Sequence, residues 1–172
     1  MTNAVTPEWS ETVSGLAGRL LVAFEDLQPG LRHAIFLELK NHSPDAVAVT
    51  HPPELRADLR DASSGVPIRA PDLLVSGPIS MPQWAVIPPD AYAGIRVDNR
   101  TLGVPTREHG VALLALGAKA WHVSAGHYVL RATLICSGRP DGPENQWVGE
   151  LELAPVEVVV TAEMVGGGTV PA

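Results

Sequence analysis

From Tyr128 the chain alternates. Tyr128, Leu130, Ala132, Leu134 and Cys136 fall on one side, with Val129, Arg131, Thr133 and Ile135 on the other. A period of two predicts a strand with one face in a core. Just upstream, Val123-Ser-Ala-Gly126-His-Tyr128 predicts a tight turn, with Gly126 taking φ > 0 and the tyrosine hydroxyl bonding back to turn backbone. In Greek-key sandwiches this arrangement is a tyrosine corner.

The same period recurs along the chain. Leu16–Phe24 is a strand candidate blurred by Leu20-Leu21, and Gln28-Pro29-Gly30 carries the Pro-Gly pair of a type II turn. Ile35, Leu37 and Leu39 alternate with Phe36, Glu38 and Lys40, predicting a strand over 33–40 that returns through Ala46–Thr50 as a hairpin. After Pro52-Pro53, Leu55, Ala57 and Leu59 face in while Arg56, Asp58 and Arg60 face out. Leu55 and Leu59 also fit one helical turn, but the stretch is too short for a stable helix. Residues 66–90 hold six prolines, which predicts irregular, extended or edge structure. Tyr92–Asn99 alternates again. Val111–Ala120 is apolar and alanine-rich; lacking an N-cap residue directly before it, the stretch reads as one strand rather than a helix. Trp147–Leu153 and Val156–Thr161 supply the last strands. The predicted organisation is an arm at 1–12, a β-sandwich at 13–162 and a flexible tail at 163–172 beginning before Gly166-Gly-Gly168.

The chain is 172 residues long and 45% hydrophobic, enough for one domain that buries roughly 70% of its unfolded surface. Gly and Pro number 16 each, as many short strands joined by turns require. The lone Cys136 excludes an internal disulfide and, lying in the inward register, reads as a small buried hydrophobe. A net charge of −7, with no Lys or Arg after Arg139, disfavours nucleic acid and anionic lipid as partners. The N-terminus lacks the features of a secretory signal and no apolar run is long enough to span a membrane. The expectation is a cytoplasmic protein without membrane insertion; an extracytoplasmic place fits a chain trimmed of its signal.

Candidate chemistry is sparse. There is no Gly-x-Ser-x-Gly elbow, Cys136 has no basic neighbour, and the six histidines (33, 42, 51, 109, 122, 127) are scattered. His122 and His127 flank the predicted corner instead of sharing a strand face. Cys136 is followed by Ser-Gly-Arg-Pro, not the His or Met ligands of a blue-copper site. Asp141-Gly-Pro-Glu144-Asn145 lacks EF-hand spacing and reads as a solvated turn. The expectation is no cofactor, no metal and no catalytic residue. Two binding surfaces come forward. Trp9 and Trp84 are the tryptophans free for a carbohydrate platform. The proline-stiffened segment 78–89 presents Ile79, Met81, Trp84, Val86 and Ile87 to a protein partner, or else crosses between sheets as an edge with Trp84, Val86 and Ile87 packed inward.

Three ordered pieces carry a resemblance: a strand into Asn41-His-Ser43, then Leu55-Arg-Ala-Asp-Leu-Arg-Asp61 before a Ser-Gly turn, and Trp121 before Gly126-His-Tyr128-Val-Leu130-Arg-Ala132. The pattern resembles immunoglobulin-like modules of bacteria, in particular the intracellular proteinase inhibitor type. Trp9 to Val13-Ser-Gly15-Leu16 is similar to the opening of immunoglobulin-like accessory modules in larger bacterial proteins. The resemblance spans roughly 9–160. Val66-Pro-Ile-Arg-Ala-Pro replaces that family's aromatic-rich strand, so the resemblance carries a fold and no functional residues. It implies an all-β, immunoglobulin-like Greek-key sandwich of seven to nine strands, acting as a non-catalytic protein-binding or structural module. A carbohydrate-binding module and a hydrolase with dispersed residues are the alternatives.

Overall fold

The computed structural model describes residues 7–27, 30–70, 83–98, 102–103 and 105–166. Eleven strands run in order: β1 Leu16–Leu27, β2 Gly30–Asn41, β3 Val47–His51, β4 Glu54–Asp61, β5 Gln83–Ile87, β6 Tyr92–Arg96, β7 Ala112–Leu116, β8 Lys119–Val123, β9 Gly126–Cys136, β10 Gly149–Glu152 and β11 Val156–Val160. A single 3-10 turn, Arg107–His109, is the one helical element among the described residues. The chain is all-β.

Two strands organise it. β2 pairs along its whole length with β1; its other edge takes β6 at Phe36–Lys40 and β7, in parallel, at Arg32. β9 pairs along one edge with β4 and along the other with β10 and then β11. β3 and β5 form a short antiparallel pair of their own. Inward side chains from all of these strands meet in one core. In β9 the buried set is Tyr128, Leu130, Ala132, Leu134 and Cys136, the alternation that the sequence predicts.

The count exceeds nine strands because β5 forms within the proline-rich stretch and because one stretch read as a single strand is a hairpin. Val111–Ala120 is not one strand: a left-handed Gly117 (φ 59°) turns the chain, and Leu116 pairs with Lys119 across a two-residue hairpin. Every residue of β7 is buried, with Ala112, Leu114 and Leu116 in the main core and Leu113 and Ala115 packed with Leu102 on the outer face. A strand covered on both faces shows no alternation, which is why the sequence reads as a continuous apolar run. The last two strands, expected as separate, are divided by a bulge. Between Glu152↔Thr133 and Val156↔Leu130, residues 153–155 stand against 131–132, so β10 and β11 are one line broken at Ala154-Pro155.

The corner before β9 forms, with one correction. The Tyr128 hydroxyl donates to the Ser124 carbonyl at 3.0 Å. Gly126, however, is not among the residues with positive φ. It is needed for space, because an added Cβ would stand 3.0 Å from the tyrosine oxygen and 3.2 Å from its ring.

Trp9, Ser10 and Val165, in the stretches read as arm and tail, pack on the body. Ser10 N–H donates to the Gly18 carbonyl, and its Oγ accepts from Gly18 N–H. Arg19 lies over the Trp9 ring at 4.5 Å. Val165 is 4% exposed and belongs to the core, so the packed body reaches into the stretch read as tail. Gln28 and Pro29, the proposed type II turn, lie outside the described residues, and Gly30 opens β2.

Candidate functional site

β5 sits within the proline-rich stretch and pairs with β3 from Val47↔Ile87 to His51↔Gln83. A turn through Pro88-Pro89-Asp90 leads into β6, with Asp90 left-handed at φ 57° and Ala91 N–H bonded to the Pro88 carbonyl. Among the described residues, β5 has no ladder partner other than β3, and β6 none other than β2. Both therefore keep a free edge.

A trough of about 480 Å³ lies between these two strands, lined by His51, Gln83, Trp84, Ala85 and Ala93–Arg96. Its lining is small where Ala85, Ala93 and Gly94 stand, and a Cβ built on Gly94 meets nothing within 4 Å. Exposed apolar side chains stand on the same two strands: Val86 at 59% and Tyr92 at 69%.

Arg96 fixes one end. Its Nη1 and Nη2 each donate to Glu25 at 2.8 Å, and its Nε donates to Asp98 Oδ1 at 2.7 Å. Those hydrogen bonds, Glu25's first, push the guanidinium further above its ordinary range, so it is a permanent cation rather than an acid or base. The Asp98 side chain is only 1% exposed and also accepts the Ile35 N–H.

Of the five residues expected at a partner surface, Ile79 and Met81 lie outside the described residues. Trp84 is half-buried: its ring packs on the 137–145 loop, where a Cβ on Gly142 would stand 2.8 Å from it. Val86 is exposed. Ile87 is wholly buried in the core, so its side chain offers nothing to a partner. Ala93, Gly94 and Tyr92 were not singled out from sequence; the turn that brings β6 beside β5 is what places them here.

The other candidates are distributed. Trp121 and Trp147 are buried, their indoles donating to the Ile68 and Val13 carbonyls. With Arg19 over Trp9 and Trp84 on Gly142, each remaining tryptophan spends one face on the protein. His122 and His127 are exposed on strands of different sheets. Among the described residues no group of three His, Cys, Asp or Glu side chains could hold a metal ion. The Cys136 thiol is buried 3.8 Å from Thr50 Oγ1, and burial raises its pKa. Asp61 accepts four hydrogen bonds from Ser63 and Ser64, chiefly the Ser63 hydroxyl, which hold its carboxyl at about 2. Asp141 is lowered by Arg139. Both carboxylates are turn locks.

No helix among the described residues is long and apolar enough to cross a membrane. The chain matches no protein-family model, no curated protein and no solved structure.

Proposed function

We propose that the chain is a non-catalytic protein-binding or structural module with an immunoglobulin-like Greek-key sandwich fold, and that its β5–β6 corner receives an extended segment of a protein partner. The tyrosine corner entering β9 and the β4–β9–β10/β11 layer support the architecture. The parallel β2–β7 pairing is a departure from that topology.

The observation that carries the binding proposal is a pair of edges with no ladder partner among the described residues, set around a small-residue trough. An unpaired edge offers a row of N–H and C=O groups that an incoming strand satisfies, and small side chains let its backbone approach. Exposed Val86 and Tyr92 add apolar contact. A photo-reactive amino acid placed at Val86 in native lysate tests it, with the same group at exposed Val159 as control. One discrete protein partner cross-linked from position 86 and absent from position 159 is expected, lost at least tenfold when Tyr92→Asp is added. The same background from both positions refutes the assignment.

A further inference from the structure

Four polar or charged residues are buried in the described structure: Arg32, His33, Asn41 and Asp98. Three have firm partners, although Arg32 Nε, like His33 Nε2, has none. Asn41 bonds Asp45, Ile87 and Ser43; Asp98 bonds Arg96 and Ile35; Arg32 donates to the Leu102 carbonyl at 2.6 Å and stands opposite Glu25 in the β1–β2 register. His33 is different. It is 0% exposed, its Nε2 has no partner, and its Nδ1 stands 3.4 Å from the Leu113 carbonyl. Phe24 covers its ring at a centroid distance of 4.0 Å.

That lone contact spans a narrow join. β7 meets β2 through a single register pair, Arg32↔Leu113, and among the described residues β8 has no ladder partner but β7. The hairpin is thus bound to its sheet by one backbone pair, the His33–Leu113 contact beside it, and apolar packing; the Trp121 indole bond to the Ile68 carbonyl ties it to the β4 side instead. We propose that His33 is an acid latch: protonation of its ring releases the β7–β8 hairpin from β2 while the layer around β9 stays folded.

With Nδ1–H donated to Leu113, a neutral ring leaves Nε2 as a bare acceptor among apolar neighbours. A second proton creates a buried N–H⁺ with no acceptor, an arrangement that costs several kcal/mol in general. Among the described residues no opposite charge offsets it, and the buried Asp98 carboxylate is taken up by Arg96 and the Ile35 N–H. From β1 the ring meets Phe24, and Glu25 alternates to the outer face; from β7 it meets the Leu113 backbone; on β2 itself Arg32 points outward. The titratable group nearest on β8 is His122, exposed and opposite the outward-facing Leu113. Burial accordingly lowers the His33 pKa to about 4, against a smaller raising effect of Leu113.

The sign follows. A released ring in water regains a pKa near 6.5 and binds protons more readily than the closed state, so closure is fully favoured above that pH. It weakens as pH falls from 6.5 toward 4 and changes no further below. At pH 4.5 the opening equilibrium rises on the order of 50-fold relative to pH 7.5.

Amide hydrogen exchange at pH 7.5 and 4.5, corrected for intrinsic rates, tests this on the full chain. Amides of 112–123 should lose protection on the order of 50-fold in acid, while those of β4 and β9 keep theirs. His33→Gln should abolish the difference. Equal loss in the variant, or a loss shared by β4 and β9, overturns the latch. Should His33→Gln fail to fold, ring-proton titration of the wild type decides. A His33 midpoint near 4 that tracks loss of protection at 112–123 supports the latch, and a midpoint near 6.5 with the hairpin closed refutes it.

Discussion

Gly65 and Gly117 adopt nearly the same left-handed backbone, φ 69° and 59°, in different surroundings. A Cβ on Gly65 meets nothing within 4 Å, whereas one on Gly117 would be driven into the Leu55 carbonyl oxygen. Gly65→Ala should therefore cost about 1 kcal/mol, the ordinary penalty of a left-handed alanine. Gly117→Ala should cost roughly 3 kcal/mol, because backbone of β4 must also move. Urea unfolding of the two variants checks it; equal losses would show that the hairpin does not press on β4. At this scale the sequence was informative where a pattern isolates one side chain. The inward set of β9 and the Tyr128 hydroxyl bond could be read directly. The burial of Ile87 was one of two readings of its segment, whereas the packing of Trp84 on Gly142 could not be read, since it depends on a loop distant in sequence.

Elements are tied together by few polar contacts, and the strongest joins β1 to β6 across β2. Arg96 holds Glu25 and Asp98 together, but the two carboxylates differ: Glu25 is 32% exposed at its side chain and Asp98 1%. Removing the cation strands a buried charge, so Arg96→Met should cost about 3 kcal/mol. Glu25→Gln should cost less, about 1 kcal/mol, because Glu25 is partly exposed and leaves no buried charge behind. Combining Arg96→Met with Asp98→Asn should recover part of the loss, since the orphaned charge is gone. Thermal or urea unfolding measures all three, and a larger loss for Glu25→Gln than for Arg96→Met contradicts this ranking. The legibility of elements followed their exposure. β2, β4 and β9 have one face turned outward over much of their length and alternate visibly. β7 is covered on both sides and lost its signature, so a hairpin read as one strand. The bulge at Ala154-Pro155 broke a single line into two strands, for which the proline was the one sequence sign.

Across the whole molecule, β2 and β9 each carry ladders on both edges, and most other strands pair with one of the two, β8 and the separate β3–β5 pair excepted. Among the described residues the outer edges of β5 and β6 have no ladder partner beside the trough, and the hairpin β7–β8 joins β2 by one backbone pair. Edge geometry of this kind depends on which strands become neighbours, so composition and periodicity could indicate a stiff apolar segment at 78–89 without locating the groove. Residue-resolved amide exchange at neutral pH tests the arrangement most directly. Strands held on both edges open only with much of the fold, whereas edge amides open locally. The slowest amides should cluster in β2 and β9, with those on the free edges of β5 and β6 exchanging at least a hundredfold faster. Protection of β5 and β6 equal to that of β2 and β9 in the isolated chain would mean that those edges are already occupied, and would contradict the account.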